Sequence, residues 1–248
     1  MSLFRSFLKL FKLLILENIY TRKLIIKNDN AIFSFTFDDV PISAFTNGAT
    51  ILENANATGT FYVALGMGAN DGTRRYFNET EILPLHHRGH DIGCHTFSHL
   101  NLRQSKTKDV VLDCEKNVNG LLEILDIESI DNFAYPFGMV SPLGKKNLKS
   151  KYKTLRTTDY GLNVGLTDLT HLRAVNLYAD SFDRYKIEKL ITEAVKTKAW
   201  VIFYTHDIRD NPSKWGTKPN DLKWVVELCL ASGGEILNIK EAIKKISC

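Results

Sequence analysis

The feature that most constrains this chain is an alternation. Short apolar runs of strand length are separated by segments patterned for helices, and the order repeats from residue 31 to residue 246. The runs 31–37 (AIFSFTF), 58–65 (TGTFYVAL), 90–96 (HDIGCHT), 132–138 (NFAYPFG) and 200–206 (WVIFYTH) are rich in aromatic and β-branched residues and read as strands. Residues 44–56, 79–89, 109–125, 141–151, 184–198 and 221–234 read as helices, two of them closed by glycine. TLRTTDYG and LRAVNLY supply two more strands around a loop, and 235–246 closes with a strand and a helix. Strands alternating with helices predict a largely parallel sheet with helices outside it. A chain of 248 residues with no repeat and no Pro/Ser-rich linker suits one such domain. In a β/α barrel the loops at the carboxyl ends of the strands converge on one mouth. Asp38-Asp39, His95, the 135–138 turn and His206 all follow strands, so they are read as one site.

Charge narrows the partners. The formal net charge is +4, with Lys and Arg dispersed along the chain, which argues against nucleic acid. Cys94, Cys114, Cys229 and Cys248 contain no C-x-x-C pair, so they describe neither a disulfide framework nor a zinc knuckle. They read as reduced thiols of a cytoplasmic protein.

The amino terminus is less ordinary. MSLFRSFLKLFKLLILENIY is rich in Phe and Leu, but Arg5, Lys9 and Lys12 interrupt it. It therefore lacks the uninterrupted apolar stretch of about 20 residues needed to span a bilayer, and no cleavage site follows it. On a helical wheel Arg5, Lys9 and Lys12 share one side, opposite Phe4, Phe7, Phe11 and Leu14. Residues 1–27 are expected to be a basic amphipathic helical segment, ahead of a catalytic domain over 28–248. Such a helix lies in a lipid headgroup layer, or else its apolar face packs on the domain or on a second subunit. The sequence says nothing of oligomeric state.

Three groups of residues carry chemistry. Asp38-Asp39 places two carboxylates directly after an apolar strand, where one could hold a metal while the other faces substrate; paired acids beside Pro41 also suit a turn or helix cap. H-T-F-S-H puts His95 and His99 four apart, on one face if the segment is a helical turn. Two imidazoles and a carboxylate form a common catalytic metal set with open positions. His206, at the end of a continuous apolar strand, suits a proton donor titrating near neutrality, or a hydrogen-bonded histidine of the barrel rim.

TFDDVP, GHDIGCHTFSHLNL, FAYPFG and FYTHDI occur in the order of the motifs of the polysaccharide deacetylases, the NodB-like carbohydrate esterases of family four. The chain resembles that family over about residues 30–245. The resemblance implies a distorted (β/α) barrel of about seven parallel strands. It implies one divalent ion, usually zinc, on Asp39, His95 and His99, with Asp38 as general base. It also implies His206 as the acid that protonates the departing sugar nitrogen, and a backbone N–H of the third motif, that of Phe137, for the oxyanion. Tyr135 and Tyr204 would line the substrate.

The chain departs from the family pattern at three places. Val40 replaces a Gly, so the loop is expected to differ in backbone conformation or crowding. Ala134 stands where the third motif carries an Arg that pairs with the base, and Arg173 is expected to reach Asp38 in its place. Tyr204 replaces a Leu of the acyl pocket; pointing inward, it would shrink that pocket and favour formyl over acetyl. The partner acid of His206 is left among Asp168, Asp180 and Asp207.

The expected substrate is an N-acetyl or N-formyl sugar in a lipid-linked or nucleotide-linked intermediate of surface-glycan (lipopolysaccharide or capsule) assembly, handled in the cytoplasm at the inner face of the membrane. A related branch of the family deformylates a lipid-linked amino sugar. The alternatives are a deacetylase of polymeric glycan and a sugar-binding homologue without turnover.

Overall fold

The computed structural model describes residues 18–68 and 76–247. In chain order the elements are β1 (Lys23–Ile26), β2 (Ile32–Asp38), a π turn (Ala44–Gly48) running into α1 (Ala49–Glu53), β3 (Thr60–Val63), α2 (Glu79–His87), β4 (Asp91–Cys94), α3 (Thr107–Leu125), β5 (Asn132–Ala134), α4 (Pro142–Leu148), β6 (Thr154–Arg156), β7 (Gly165–Asp168), β8 (Val175–Asn176), α5 (Arg184–Thr197), β9 (Trp200–Thr205), α6 (Pro219–Ala231), β10 (Glu235–Ile236) and α7 (Ile239–Ile246). Seven strands, all parallel, lie in the order β6-β5-β4-β3-β2-β9-β8, and β10 pairs with the start of β2. The curled sheet is the distorted barrel the sequence implies. Between β6 and β8 the ring is bridged by irregular chain, through Leu155 N–H to Leu169 O and Thr157 N–H to Leu172 O.

The two-residue period of a strand sorts its side chains. Phe33, Phe35 and Phe37 of β2 join Val201 and Phe203 of β9 in the large core beneath the helices. Ile32, Trp200, Ile202 and Tyr204 turn the other way, into a smaller cluster closed by Ile239, Ala242, Ile243 and Ile246 of α7. Both faces of β2 are covered, so its sequence is nearly continuous in apolar residues. Phe37 stacks on Phe61 at 4.6 Å and Phe35 on Phe203 at 5.2 Å. Helix ends follow local chemistry: Asn78 with Glu81, and Asn238 with Glu241, form capping boxes at α2 and α7.

The inner face of the sheet is polar in layers. Low in the barrel, Asp91 accepts from Thr60 Oγ1 (3.1 Å) and Asn132 Nδ2 (2.6 Å), and Thr154 donates to Asn132 Oδ1 (2.9 Å). Two residues further along β3 and β6 come Tyr62 and Arg156, directly beneath the strand ends. The Tyr62 ring crosses Gly93 of the neighbouring strand so closely that a Cβ there would lie 2.5 Å from it.

Two expectations need correction. Lys23–Ile26, placed within the helical segment ending at residue 27, is a strand paired antiparallel with β7, which the sequence reading left as loop. This ribbon forms because Leu24 and Ile26 pack against the small inner cluster, a tertiary contact that overrides local pattern. Of the two forms open to H-T-F-S-H, the structure takes a loop rather than a helical turn, with left-handed residues at Thr96 and His99. The expected amphipathic helix itself falls on residues 1–17, outside the described residues. Among the described residues no helix is long and apolar enough to cross a membrane.

Candidate active site

Asp38 ends β2 with its side chain on the inner face, following Ser34 and Thr36. The chain then turns sharply: Asp39 and Val40 both adopt positive φ, 57° and 44°. Val40 thus takes a glycine-like conformation, and a β-branched residue there stores about 1–3 kcal/mol of strain. The turn swings the Asp39 carboxylate away from Asp38 and towards two imidazoles. Asp39 Oδ1 lies 3.5 Å from His95 Nε2 and 3.1 Å from His99 Nε2, and Asp39 Oδ2 lies 3.6 Å from His206 Nε2.

Each histidine is held from behind. His95 follows β4 and donates from Nδ1 to the Ala134 carbonyl at 2.8 Å, which turns Nε2 to the site. Burial pushes the His95 pKa down to about 4, so the ring is neutral at pH 7. The loop bearing His99 is clamped by Asp113 of α3, which accepts from the N–H groups of Phe97 (2.8 Å) and Ser98 (2.9 Å) and from Ser98 Oγ. His206 follows β9, and its Nδ1 faces the Trp215 carbonyl at 3.2 Å. Asp168 is bound by Lys145, Asp207 by Arg209 and Ser213, and the His206 ring is oriented by a backbone carbonyl instead.

The donor set fits a divalent ion. Ligand atoms of Asp39, His95 and His99 all lie within 4.8 Å of one another. Asp39 Oδ1 is buried and accepts no hydrogen bond, an orphaned oxygen of the kind a cation satisfies. Burial opposes ionisation of Asp39, but His99, His206 and His95 together hold its carboxyl well below the usual carboxylate range.

Asp38 makes a different contact. Its Oδ1 accepts from Arg156 Nη2, the last residue of β6. The guanidinium is fully buried and lies between two aromatic faces, 5.1 Å from the ring centroids of both Tyr62 and Tyr204. Arg173, expected in this role, lies instead against Gly161 and beside the Asp159–His171 pair. The physical reason is register. Arg156 occupies an inner-face position at a strand end, whereas Arg173 belongs to the irregular chain that bridges the ring.

Phe137 has φ 58° and a ring 58% exposed, packed on His99 at 4.3 Å. The turn's own hydrogen bonds use the N–H groups of Gly138 and Met139, not that of Phe137. Tyr135, expected beside substrate, instead turns into the helix-side core, where it packs on Phe133 and donates to the Thr170 carbonyl at 3.3 Å. Tyr204 does point inward, edge-on to Tyr178 at 5.4 Å, and Tyr178 continues the aromatic wall to His206 and Trp215. Arg156, Asp113, Tyr178 and Trp215 were missed by sequence reasoning. For Arg156 the sequence signal was weak, because the strand-like run TLRTTDYG continues past it and only the structure ends β6 there.

Residues 26–154, just over half of the chain, match the family model described as polysaccharide deacetylase. No curated protein matches the chain. Among solved structures it is similar to PdaA of Bacillus subtilis, a family 4 carbohydrate esterase (16% identity, 94% of this chain and 89% of that one covered, TM-score 0.64). It is also similar to a family 4 acetyl xylan esterase of Clostridium thermocellum in complex with a cobalt ion (17%, 86% and 91%, 0.58). A third is BA3943 of Bacillus anthracis, a family 4 pseudoenzyme (13%, 88% and 66%, 0.58).

Proposed function

Because the chain belongs to the polysaccharide deacetylase family, we propose that it is a metal-dependent hydrolase that removes an N-acetyl or N-formyl group from a sugar. The observation that carries this reading is the orphaned Asp39 oxygen facing His95 and His99, with Asp38 held separately by Arg156. The two carboxylates are adjacent in sequence but differ in partner, so they suit two roles.

Asp39, His95 and His99 would hold the ion, with zinc the family's usual choice. When bound, it would polarise the acyl carbonyl and lower the pKa of a water in the site. Asp38 is the base that takes the proton of the attacking water, and Arg156 fixes its orientation. The Phe137 N–H meets the oxygen on which charge develops. His206 delivers a proton to the leaving nitrogen, without which an amine is a very poor leaving group. Its Nδ1 is engaged by the Trp215 carbonyl, which leaves Nε2 as the working atom. The exposed ring of Phe137, beside His99, and the Trp215 indole, beside His206 and 41% exposed, offer apolar faces for a sugar ring. Tyr204 and Tyr178 narrow the inner end of the site, which favours a small acyl group.

The substrate we favour is a lipid-linked or nucleotide-linked sugar of surface-glycan assembly, met at the cytoplasmic face of a membrane through the basic, Phe-rich residues 1–17. The test is release of acetate and formate from polymeric, lipid-linked and nucleotide-linked N-acyl sugars, with and without a chelator. Chelator-sensitive release from a linked monosaccharide supports the reading. Release from polymer alone moves the substrate to a structural glycan, and no release from metal-loaded protein places the chain with the pseudoenzymes of its fold.

A further inference from the structure

The β1–β7 ribbon carries an unusual surface. An antiparallel pair with one face packed on a core normally presents polar residues to water on the other. Here the inner face, Leu24 and Ile26, packs on the small cluster, yet the outer face is apolar. Ile25 and Leu166 are direct cross-strand partners and are 53% and 63% exposed; Val164 beside them is 44% exposed. Lys23 of β1 and Lys27, directly after it, lie two residues to either side of Ile25, both exposed. The carboxylate opposite Lys23, Asp168, is already bound by the buried Lys145 at 2.7 Å. The ribbon is also firmly seated, because Arg22 donates to the carbonyls of Tyr152 (2.6 Å), Lys153 (2.8 Å) and Lys149 near the end of α4.

We propose that this face is a docking surface for an anionic lipid bilayer. An apolar strip bracketed by lysines matches the boundary between acyl chains and negative headgroups. Residues 1–17, which precede the ribbon in sequence, also combine aromatic residues (Phe4, Phe7, Phe11) with basic ones (Arg5, Lys9, Lys12). The amino-terminal residues carry the same positive sign as Lys23 and Lys27, so charge complementarity points to a negative plane rather than to that segment, and the bilayer is the occupant. The ribbon thereby adds a second, folded contact to one supplied by the segment. This inference does not depend on which glycan the site accepts.

The experiment is co-sedimentation of the full chain with vesicles of phosphatidylcholine alone or mixed with phosphatidylglycerol. Wild type is expected on the mixed vesicles and to be released by salt. Ile25→Thr with Leu166→Thr keeps strand-forming residues and should lower the bound-to-free ratio about tenfold or more. Lys23→Gln with Lys27→Gln should lower it on mixed vesicles only, by about fivefold per lysine. Unchanged unfolding midpoints would show that each variant is folded. Wild-type binding by both variants would overturn the proposal, as would failure of the wild type to bind. A dimer in gel filtration that the threonine variant dissociates would assign the face to a second copy and also overturn it. Vesicle binding without acyl release would leave the ribbon standing and sink only the catalytic reading.

Discussion

Asp38 and Arg156 lie 118 residues apart in sequence and meet as a buried ion pair, the guanidinium wholly enclosed between Tyr62 and Tyr204. Such a pair is worth less for its net attraction than for what happens when half of it is removed, since an unpaired buried charge is left behind.

Arg156→Met is therefore expected to cost about 3–5 kcal/mol of stability and to lower kcat/KM for the N-acyl sugar on the order of 10²-fold through misplacement of the base. Arg156→Lys cannot reproduce a planar cation stacked between two rings and should recover only part of that loss. Arg173→Met should cost less than about tenfold, as its side chain lies beside Asp159. Equal losses at 156 and 173 would contradict the assignment of the clamp.

The metal set can be tested without turnover. Zinc added to chelator-treated protein should raise the unfolding free energy by about 2.7 kcal/mol at a hundredfold excess over Kd. His95→Ala and His99→Ala should abolish that increment in thermal denaturation, whereas His206→Asn should retain most of it. Retention of the full zinc effect in the His99 variant would remove that residue from the ligand set.

His206 is assigned to the leaving group, so its importance should depend on what leaves. His206→Asn should lower kcat on an N-acyl sugar by about 10²–10⁴-fold. On an activated aryl acetate, whose leaving group needs no proton, the loss should be far smaller. Parallel losses on both substrates would argue for a positioning role.

Asp91 offers a test of the barrel interior. Burial raises its pKa from 3.8 to about 6, against the lowering effect of its bonds from Thr60 and Asn132. A carboxyl raised on folding stabilises the protein fully below pH 3.8, and that contribution is lost as pH rises through about 6. Asp91→Asn, which cannot ionise, should therefore gain relative to wild type by about 1–3 kcal/mol between pH 4 and pH 7.5. Urea midpoints of the chelator-treated proteins at the two pH values measure the difference, and a gap that does not widen with pH would refute it.

Much of this protein was legible before any coordinates. The alternation of strand and helix patterns carries its own physical meaning, because each element declares its period locally, and that specifies a parallel sheet wrapped by helices. Asp38, Asp39, His95 and His206 stood out because each lies at the end of an apolar strand, where strand ends converge in such a fold, and His99 by its spacing from His95. That Asp39 approaches three imidazoles while Asp38 pairs with Arg156 depended on left-handed backbone at Asp39 and Val40, a conformation that a valine conceals.

The rest depended on contacts distant in sequence. Lys23–Ile26 reads as the tail of an amphipathic segment, but its pairing with β7 and the burial of Leu24 and Ile26 make it a strand. Tyr135 reads as a mouth residue, yet its position on the strand turns it to the core. Ala134 marked where a partner for Asp38 was missing, but not what would replace it. Only the curl of the sheet brings β6 across from β2, and only the two-residue period of β6 turns Arg156 inward. Periodicity and strand ends are local properties that a sequence displays directly. The partner of a buried charge is a property of the closed barrel, fixed by strand order and register together.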